Sequence, residues 1–306
     1  MRNCGVRGNV AAKRRRLDPA GLSYFCGLHY RRNSILPTRS LDRVAPKKHL
    51  GQHFLADLNI SRRIAESLRL PEGVRHVLEV GPGMGVLTQF LLERTADYET
   101  TVVEIDRESV AYLKVHFPGL QGRILEADFL KMDLGKQFDG APLSVIGNFP
   151  YNISSQIYFR ILAHRQQVRE SVGMIQKEVA ERIAAGPGSK TYGILSVLVQ
   201  AWYDVELLFL VPPHVFIPPP KVQSAVLRLT RNKVEKLDCD EVLFFRVVKQ
   251  AFATRRKTLR NCMKMFGLSA EVTADPLFDK RAEQLSVADF VGLTQLVSAQ
   301  MQSANQ

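Results

Sequence analysis

The heptapeptide Glu79-Val80-Gly81-Pro82-Gly83-Met84-Gly85 decides how this chain is read. It closes the largely apolar run His76–Val80, which reads as a buried strand, and it precedes Val86–Glu93, which reads as a helix. Three glycines at spacings of two and two let a backbone turn sharply and approach a ligand with no side chain between. A dinucleotide pyrophosphate loop calls for spacings of two and three, and Val86 stands where that third glycine would fall. A nicotinamide-type loop therefore fits poorly. Taken alone, the glycines leave an ordinary strand-to-helix turn open.

The pattern outward from this loop is regular. Further strands are expected at Thr101–Ile105, Arg123–Ala127, Leu143–Gly147 and Val172–Gln176, with helices at Arg107–His116, Ser154–Leu162 and Lys177–Ala185 between or after them. A polar helix is expected before them, from Asp57 to Leu68, with Ile60, Ile64 and Leu68 on one face. Strands alternating with helices argue an α/β fold, a doubly wound Rossmann-like parallel sheet with ligands at the carboxyl ends of its strands. Asp204–Val211 and Ser224–Thr230 read as an antiparallel pair closing the sheet. After Arg231 the pattern becomes helical, with Phe244, Val247, Val248 and Phe252 as one apolar face. The expected organisation is an extension over 1–46, a ligand-binding domain over 47–231 and a small all-helical domain over 232–306.

The next chemical signals fall at successive strand ends. Glu104 lies 19 positions past Gly85, where an acid can accept hydrogen bonds from both ribose hydroxyls. Asp128 can take an amino proton from an adenine ring while Phe129 covers its face. Together they describe a pocket for an adenosine that needs no phosphates. Asn148-Phe149-Pro150-Tyr151 then supplies an amide oxygen, a carbonyl in a proline-constrained turn and an aromatic plane, the parts that an exocyclic amino group on a flat base requires.

With these motifs in order, the chain resembles the ribosomal small-subunit RNA adenine dimethyltransferases, the KsgA/RsmA family. The resemblance runs from Lys47-Lys48-His49-Leu50-Gly51-Gln52-His53-Phe54-Leu55 to the last helix, and includes Glu79–Gly85, Gly147–Ser155, Gln176–Arg182, Val215–Ser224 and Arg255–Asn261. It implies a class I methyltransferase that uses S-adenosylmethionine to dimethylate N6 of two adjacent adenosines in a loop near the 3′ end of small-subunit (16S) ribosomal RNA, during subunit maturation. Carried over by position, His53 and Leu55 would line the cofactor pocket, with Gly81 and Gly83 passing the methionine part. Glu104 would hold the ribose, Asp128 and Phe129 the adenine, and Asn148 would border the methyl group. Asn148, Pro150 and Tyr151 would position the target base, with Phe216 as a second stacking aromatic. Bacterial members often carry Asn at the position of His53 and Leu at that of Phe149.

Composition bounds the partners. The 306 residues are 45% hydrophobic and 24% charged, and no apolar run approaches the ~18–20 residues of a membrane span. Residues 1–46 carry +8 of the +12 net charge, which leaves the remaining 260 residues near neutral. That basic, pattern-poor stretch reads as an extension outside the fold, with a transit peptide, an RNA-gripping arm and an upstream misassigned start as the alternatives. Lys47, Lys48 and Lys221, and Arg255-Arg256-Lys257 with Arg260, are the expected RNA contacts; on a helix Arg256 and Arg260 would share a face. So weak a field suits a folded ribosomal surface better than free RNA. The four cysteines form no CxxC pair or metal-ligand spacing, which fits a reduced, cytoplasmic protein. A monomer is expected. The competing classes are an RNA-dependent assembly factor in which methylation is incidental, and a large-subunit methyltransferase conferring macrolide resistance.

Overall fold

The structure is a computed structural model that describes residues 44–303; the expectations for residues 1–43 lie outside the described residues. Its strands are β1 (Phe54–Leu55), β2 (His76–Val80), β3 (Glu99–Glu104), β4 (Ile124–Glu126), β5 (Leu143–Asn148), β6 (Val168–Gln176), β7 (Tyr203–Val211), β8 (Phe216–Ile217) and β9 (Ser224–Arg231). Its helices are α1 (Leu58–Glu66), α2 (Thr88–Leu91), α3 (Arg107–His116), α4 (Leu134–Gln137), α5 (Ser154–Ala163), α6 (Lys177–Ala184), α7 (Ile194–Gln200), α8 (Glu241–Ala251), α9 (Leu259–Cys262), α10 (Ala270–Thr273) and α11 (Val287–Ser303).

Seven strands form one sheet in the order β4-β3-β2-β5-β6-β9-β7. The first five are parallel, and β9 and β7 close the sheet antiparallel. The chain runs outward from β2 through β3 to β4 and returns on the other side of β2 as β5. The point where strand order reverses is where this class of sheet opens a crevice.

Alternation along the strands feeds two cores. Val77, Ile146, Val172 and Val226 face one side with Ile64 of α1 and Leu91 of α2, all fully buried. Leu78, Val145, Ile175 and Leu227 face the other side. That second cluster continues through Trp202 to Phe244, Val247 and Val248 of α8 and Leu293 of α11, with the Trp202 and Phe245 rings stacked at 5.8 Å. Each such aliphatic or aromatic side chain contributes about 1.5–3 kcal/mol when fully buried.

Three elements depart from expectation. The stretch Val86–Glu93 forms only the short α2 and a following 3-10 turn. Strand β6 starts four residues early, because Glu170 is buried and its carboxylate accepts from the Arg69 and Leu70 amides at 2.9 and 3.2 Å. Helix α7 has no amphipathic signature in the sequence, since Leu195 through Val199 are all buried and a helix apolar all round has no polar face to reveal it.

Candidate active site

The crevice at the carboxyl ends of β2, β3, β4 and β5 is a cleft of about 220 Å³. The glycine loop forms its floor. Gly83 sits at φ +55°, and a Cβ there would lie 2.8 Å from the Phe54 ring, so only glycine lets the loop pass beneath that residue. Glu79, just before the loop, is buried and does not line the cleft; it accepts from the Thr88 hydroxyl at 2.6 Å, and burial pushes its carboxyl up to about 8.

Glu104 joins the loop to the turn after β3. One carboxylate oxygen accepts from the Gly83 amide at 3.1 Å, and the other from the Ile105 and Asp106 amides at 2.9 Å each. Burial raises its pKa against these three donors, and the oxygen bound to the Gly83 amide keeps a second lone pair. Asp128 accepts from the Leu130 amide at 3.0 Å, which fixes the turn that places buried Phe129 on the cleft wall. Ile105, 53% exposed, lines the same cleft. Sequence reading passed over Ile105, Gln52 and Phe54, whose only signals are their places beside Glu104 and within the 47–55 motif.

Asn148 ends β5 and reaches back to the 47–55 segment. Its Nδ2 donates to the His53 backbone carbonyl at 2.9 Å, so Oδ1 is the part of the amide left to accept from a substrate. The Pro150 carbonyl accepts from the Ile153 amide at 3.2 Å and keeps a second lone pair. The Tyr151 ring stacks on the His53 ring at 5.2 Å, and its hydroxyl is hydrogen-bonded to Ser224. The His53 Nδ1 is 2.8 Å from the Pro218 carbonyl, tying the 212–223 loop to the same cluster. Phe149 is fully buried against Tyr158.

Two expected side chains are not brought to the cleft. Strands β1 and β8 pair antiparallel with Leu55 opposite Phe216 and Phe54 opposite Ile217. Alternation then sends Leu55 and Phe216, 5% and 2% exposed, together into the core, and it is Phe54 that faces the cleft.

The basic residues divide. Lys47 is turned inward, with its Nζ 2.5 Å from Asp106 and 3.1 Å from Glu108. Arg255 donates to the Tyr192 carbonyl at 3.1 Å and lies 3.6 Å from Glu283, while Arg260 pairs with Asp279 at 2.7 Å. Lys48, Lys221, Arg256 and Lys257 are exposed and lack an ion-pair partner among the described residues. Arg256 and Arg260 do not share a helix. Thr258 between them is extended and bridges Arg281, so Arg256 lies in the turn after α8 and Arg260 in α9.

A doubly wound sheet with a glycine-floored cleft, acids at the next two strand ends and a fixed carboxamide at the fourth defines a class I S-adenosylmethionine-dependent methyltransferase. The donor set fits that cofactor: a carboxylate for the ribose hydroxyls, a second acid and apolar walls for the adenine, and two glycines, Gly81 and Gly83, that bring no side chain where the chain of the methionine part would pass.

The model of the family described as "Ribosomal RNA adenine dimethylase" matches residues 44–298, and the chain belongs to that family. Among curated relatives, Ribosomal RNA small subunit methyltransferase A of Parabacteroides distasonis is 62% identical over 252 residues, 82% of this chain and 93% of that protein. The protein of the same name from Bacteroides thetaiotaomicron is 58% identical over 263 residues, covering 85% and 97%. In fold, the chain is similar to a dimethyladenosine transferase crystal structure from Plasmodium falciparum, with TM-score 0.69, 24% identity and coverage of 81% and 98%.

Proposed function

We propose that this enzyme dimethylates N6 of two adjacent adenosines in a loop near the 3′ end of small-subunit (16S) ribosomal RNA, acting as a cytoplasmic monomer on an immature small subunit. The observation that carries the proposal is the Asn148 carboxamide, held by the His53 carbonyl so that its oxygen is the available acceptor beside the Tyr151 ring. The small-subunit relatives, matched over nearly their whole length, support this substrate over large-subunit RNA.

Glu104, Asp128, Phe129, Ile105 and the Gly81–Gly83 backbone would hold S-adenosylmethionine, which when bound supplies an electrophilic methyl group. Adenine N6 is a weak nucleophile because its lone pair is delocalised into the ring. Asn148 Oδ1 and the Pro150 carbonyl accept its two hydrogens, favour the pyramidal form and stabilise the positive charge that develops on nitrogen. The proton leaves to solvent water after charge has formed, when the nitrogen is strongly acidic, so no general base is required beforehand. Tyr151 orients the base by stacking, and such positioning is worth several kcal/mol of barrier. A base held this way is unstacked, which favours loop adenines. Arg256, Lys257, Lys48 and Lys221 supply phosphate contacts, with residues 232–306 as the RNA-gripping part.

The test incubates the protein with methyl-labelled S-adenosylmethionine and unmethylated small subunits and maps the label. Label in two adjacent adenosines of the small-subunit RNA is expected. Label confined to large-subunit RNA would refute the proposal.

A further inference from the structure

Lys47 carries a charge that sequence reading assigns to RNA, yet its geometry points inward. Its Nζ contacts two carboxylates, at 2.5 Å on Asp106 and 3.1 Å on Glu108, and the Asp106 side chain is only 2% exposed. That leaves one N–H, and a phosphate reaching it would sit beside two carboxylates of like charge, an unfavourable placement. Asp106 in turn is wired to the cleft. Its amide donates to Glu104 at 2.9 Å, and its carboxylate accepts from the Glu108 amide at 3.3 Å and the Ser109 hydroxyl at 3.1 Å. Lys47, Asp106 and Glu104 thus form one connected chain from the protein surface to the ribose-side acid.

The same lysine starts a strap across the cleft. Its amide donates to the Gln52 side chain at 2.8 Å, and its carbonyl accepts from the Leu50 amide at 3.0 Å. Leu50, Gly51, Gln52, His53 and Phe54 all line the cleft. The downstream end of the strap is tied by the β1–β8 ribbon, by the Ala56 amide on the Val215 carbonyl at 2.8 Å, and by Asn148 on the His53 carbonyl. The upstream end is held to the sheet side by the Lys47 ion pair.

We infer that Lys47 is a positioning residue for S-adenosylmethionine: its ion pair with Asp106 clamps the 47–54 strap and the Glu104 turn together around the cofactor cleft. Removing the cation loosens the strap at its upstream end and leaves Asp106 a nearly buried carboxylate without its partner. Asp106 then shifts toward water and carries with it the amide that holds Glu104. The inference rests on the assignment of this cleft to the cofactor.

The test is calorimetric titration of the full chain with S-adenosylhomocysteine, which occupies the cofactor site without reacting, alongside binding to unmethylated small subunits. Lys47→Ala should raise the Kd for S-adenosylhomocysteine about five- to tenfold, the low end of couplings between adjoining sites. Lys47→Arg should restore it to within about twofold, since a guanidinium also pairs with carboxylates. Asp106→Asn should weaken binding similarly, and the double variant should be no worse than the weaker single, as for two ends of one interaction. Subunit affinity should stay within about twofold in Lys47→Ala, and hydrogen exchange in the 48–54 peptide should quicken. Asp106 also caps α3, so the two Lys47 variants carry the decision if Asp106→Asn does not fold. An unchanged Kd in Lys47→Ala, or a Kd that Lys47→Arg fails to restore, overturns the clamp. A fall in subunit affinity with unchanged cofactor affinity returns Lys47 to the RNA. Failure of the underlying assignment is distinguishable, because it would show as undiminished binding in Glu104→Ala, whatever Lys47 does.

Discussion

Replacing Asn148 with alanine removes two interactions of different weight. One is structural: the Nδ2 bond to the His53 carbonyl at 2.9 Å, part-buried, whose loss costs about 1 kcal/mol. The His53 carbonyl faces the cleft region and can be rehydrated, so the 47–55 segment, still tied by the β1–β8 ribbon, should hold its place. The other is chemical: the Oδ1 acceptor for the N6 hydrogens, which strengthens only as charge develops on nitrogen. Loss of one such preorganised dipole costs about 2.7–4 kcal/mol of barrier, or roughly 10²–10³ in rate. The expected outcome is a single-turnover methylation rate, measured at saturating cofactor and subunits, lower by about two to three orders of magnitude. Calorimetric affinity for S-adenosylhomocysteine should stay within about tenfold, since the structural share is near 1 kcal/mol. A variant that loses cofactor binding yet keeps its single-turnover rate at saturation would refute the reasoning, because Asn148 would then be a binding residue. Asn148→Asp loses the donor to the His53 carbonyl but keeps an oxygen acceptor for the N6 hydrogens, so it should retain a faster single-turnover rate than alanine.

Glu104→Ala should weaken cofactor binding by about 1–3 kcal/mol in calorimetry, the loss of charge-assisted hydrogen bonds, and undiminished affinity would remove Glu104 from the site. Glu79 is neutral in the fold with its carboxyl pushed up to about 8, whereas in the unfolded chain it ionises near 4.5. Between those values the native state binds more protons, so this group's contribution to stability falls as pH rises from about 4.5 to 8. Glu79→Gln should therefore flatten the decline of thermal stability over that window, and a difference between variant and parent that does not change with pH would count against a neutral Glu79. The paired Arg256→Gln and Lys257→Gln substitutions should lower subunit affinity and its salt dependence while leaving the melting temperature unchanged. Arg255→Gln and Arg260→Gln, which break contacts to the Tyr192 carbonyl and Asp279, should lower the melting temperature instead, and the reverse pattern would show the exposed pair to be the structural one.

The sequence by itself determined the sheet, the place of its crevice and the chemistry offered there. Those features are local: a strand shows as a run of apolar residues, a sharp turn as glycine spacing, and a ligand-facing acid as a polar residue where such a run stops. His76–Val80 and Arg107–His116 accordingly form with the expected boundaries, and Gly83, Glu104, Asp128, Asn148 and Tyr151 meet at one cleft. Tertiary structure alone decided which neighbours of those residues face the cleft and which face the core. Leu55 and Phe216 turn inward because a two-residue ribbon sets their register, and no local pattern distinguishes them from Phe54 and Ile217. The role of a charge is equally nonlocal. Lys47 looks like any exposed cation until Asp106, 59 positions away, is brought against it, and Asn148 has a defined amide orientation only because His53 arrives from 95 positions away. Arg256 and Arg260 have helical spacing, but the bridge from Thr258 to Arg281 draws the chain out between them. Periodicity records how each residue meets its neighbours in the chain, whereas ion pairs, registers and bridges depend on partners that only the folded sheet brings close.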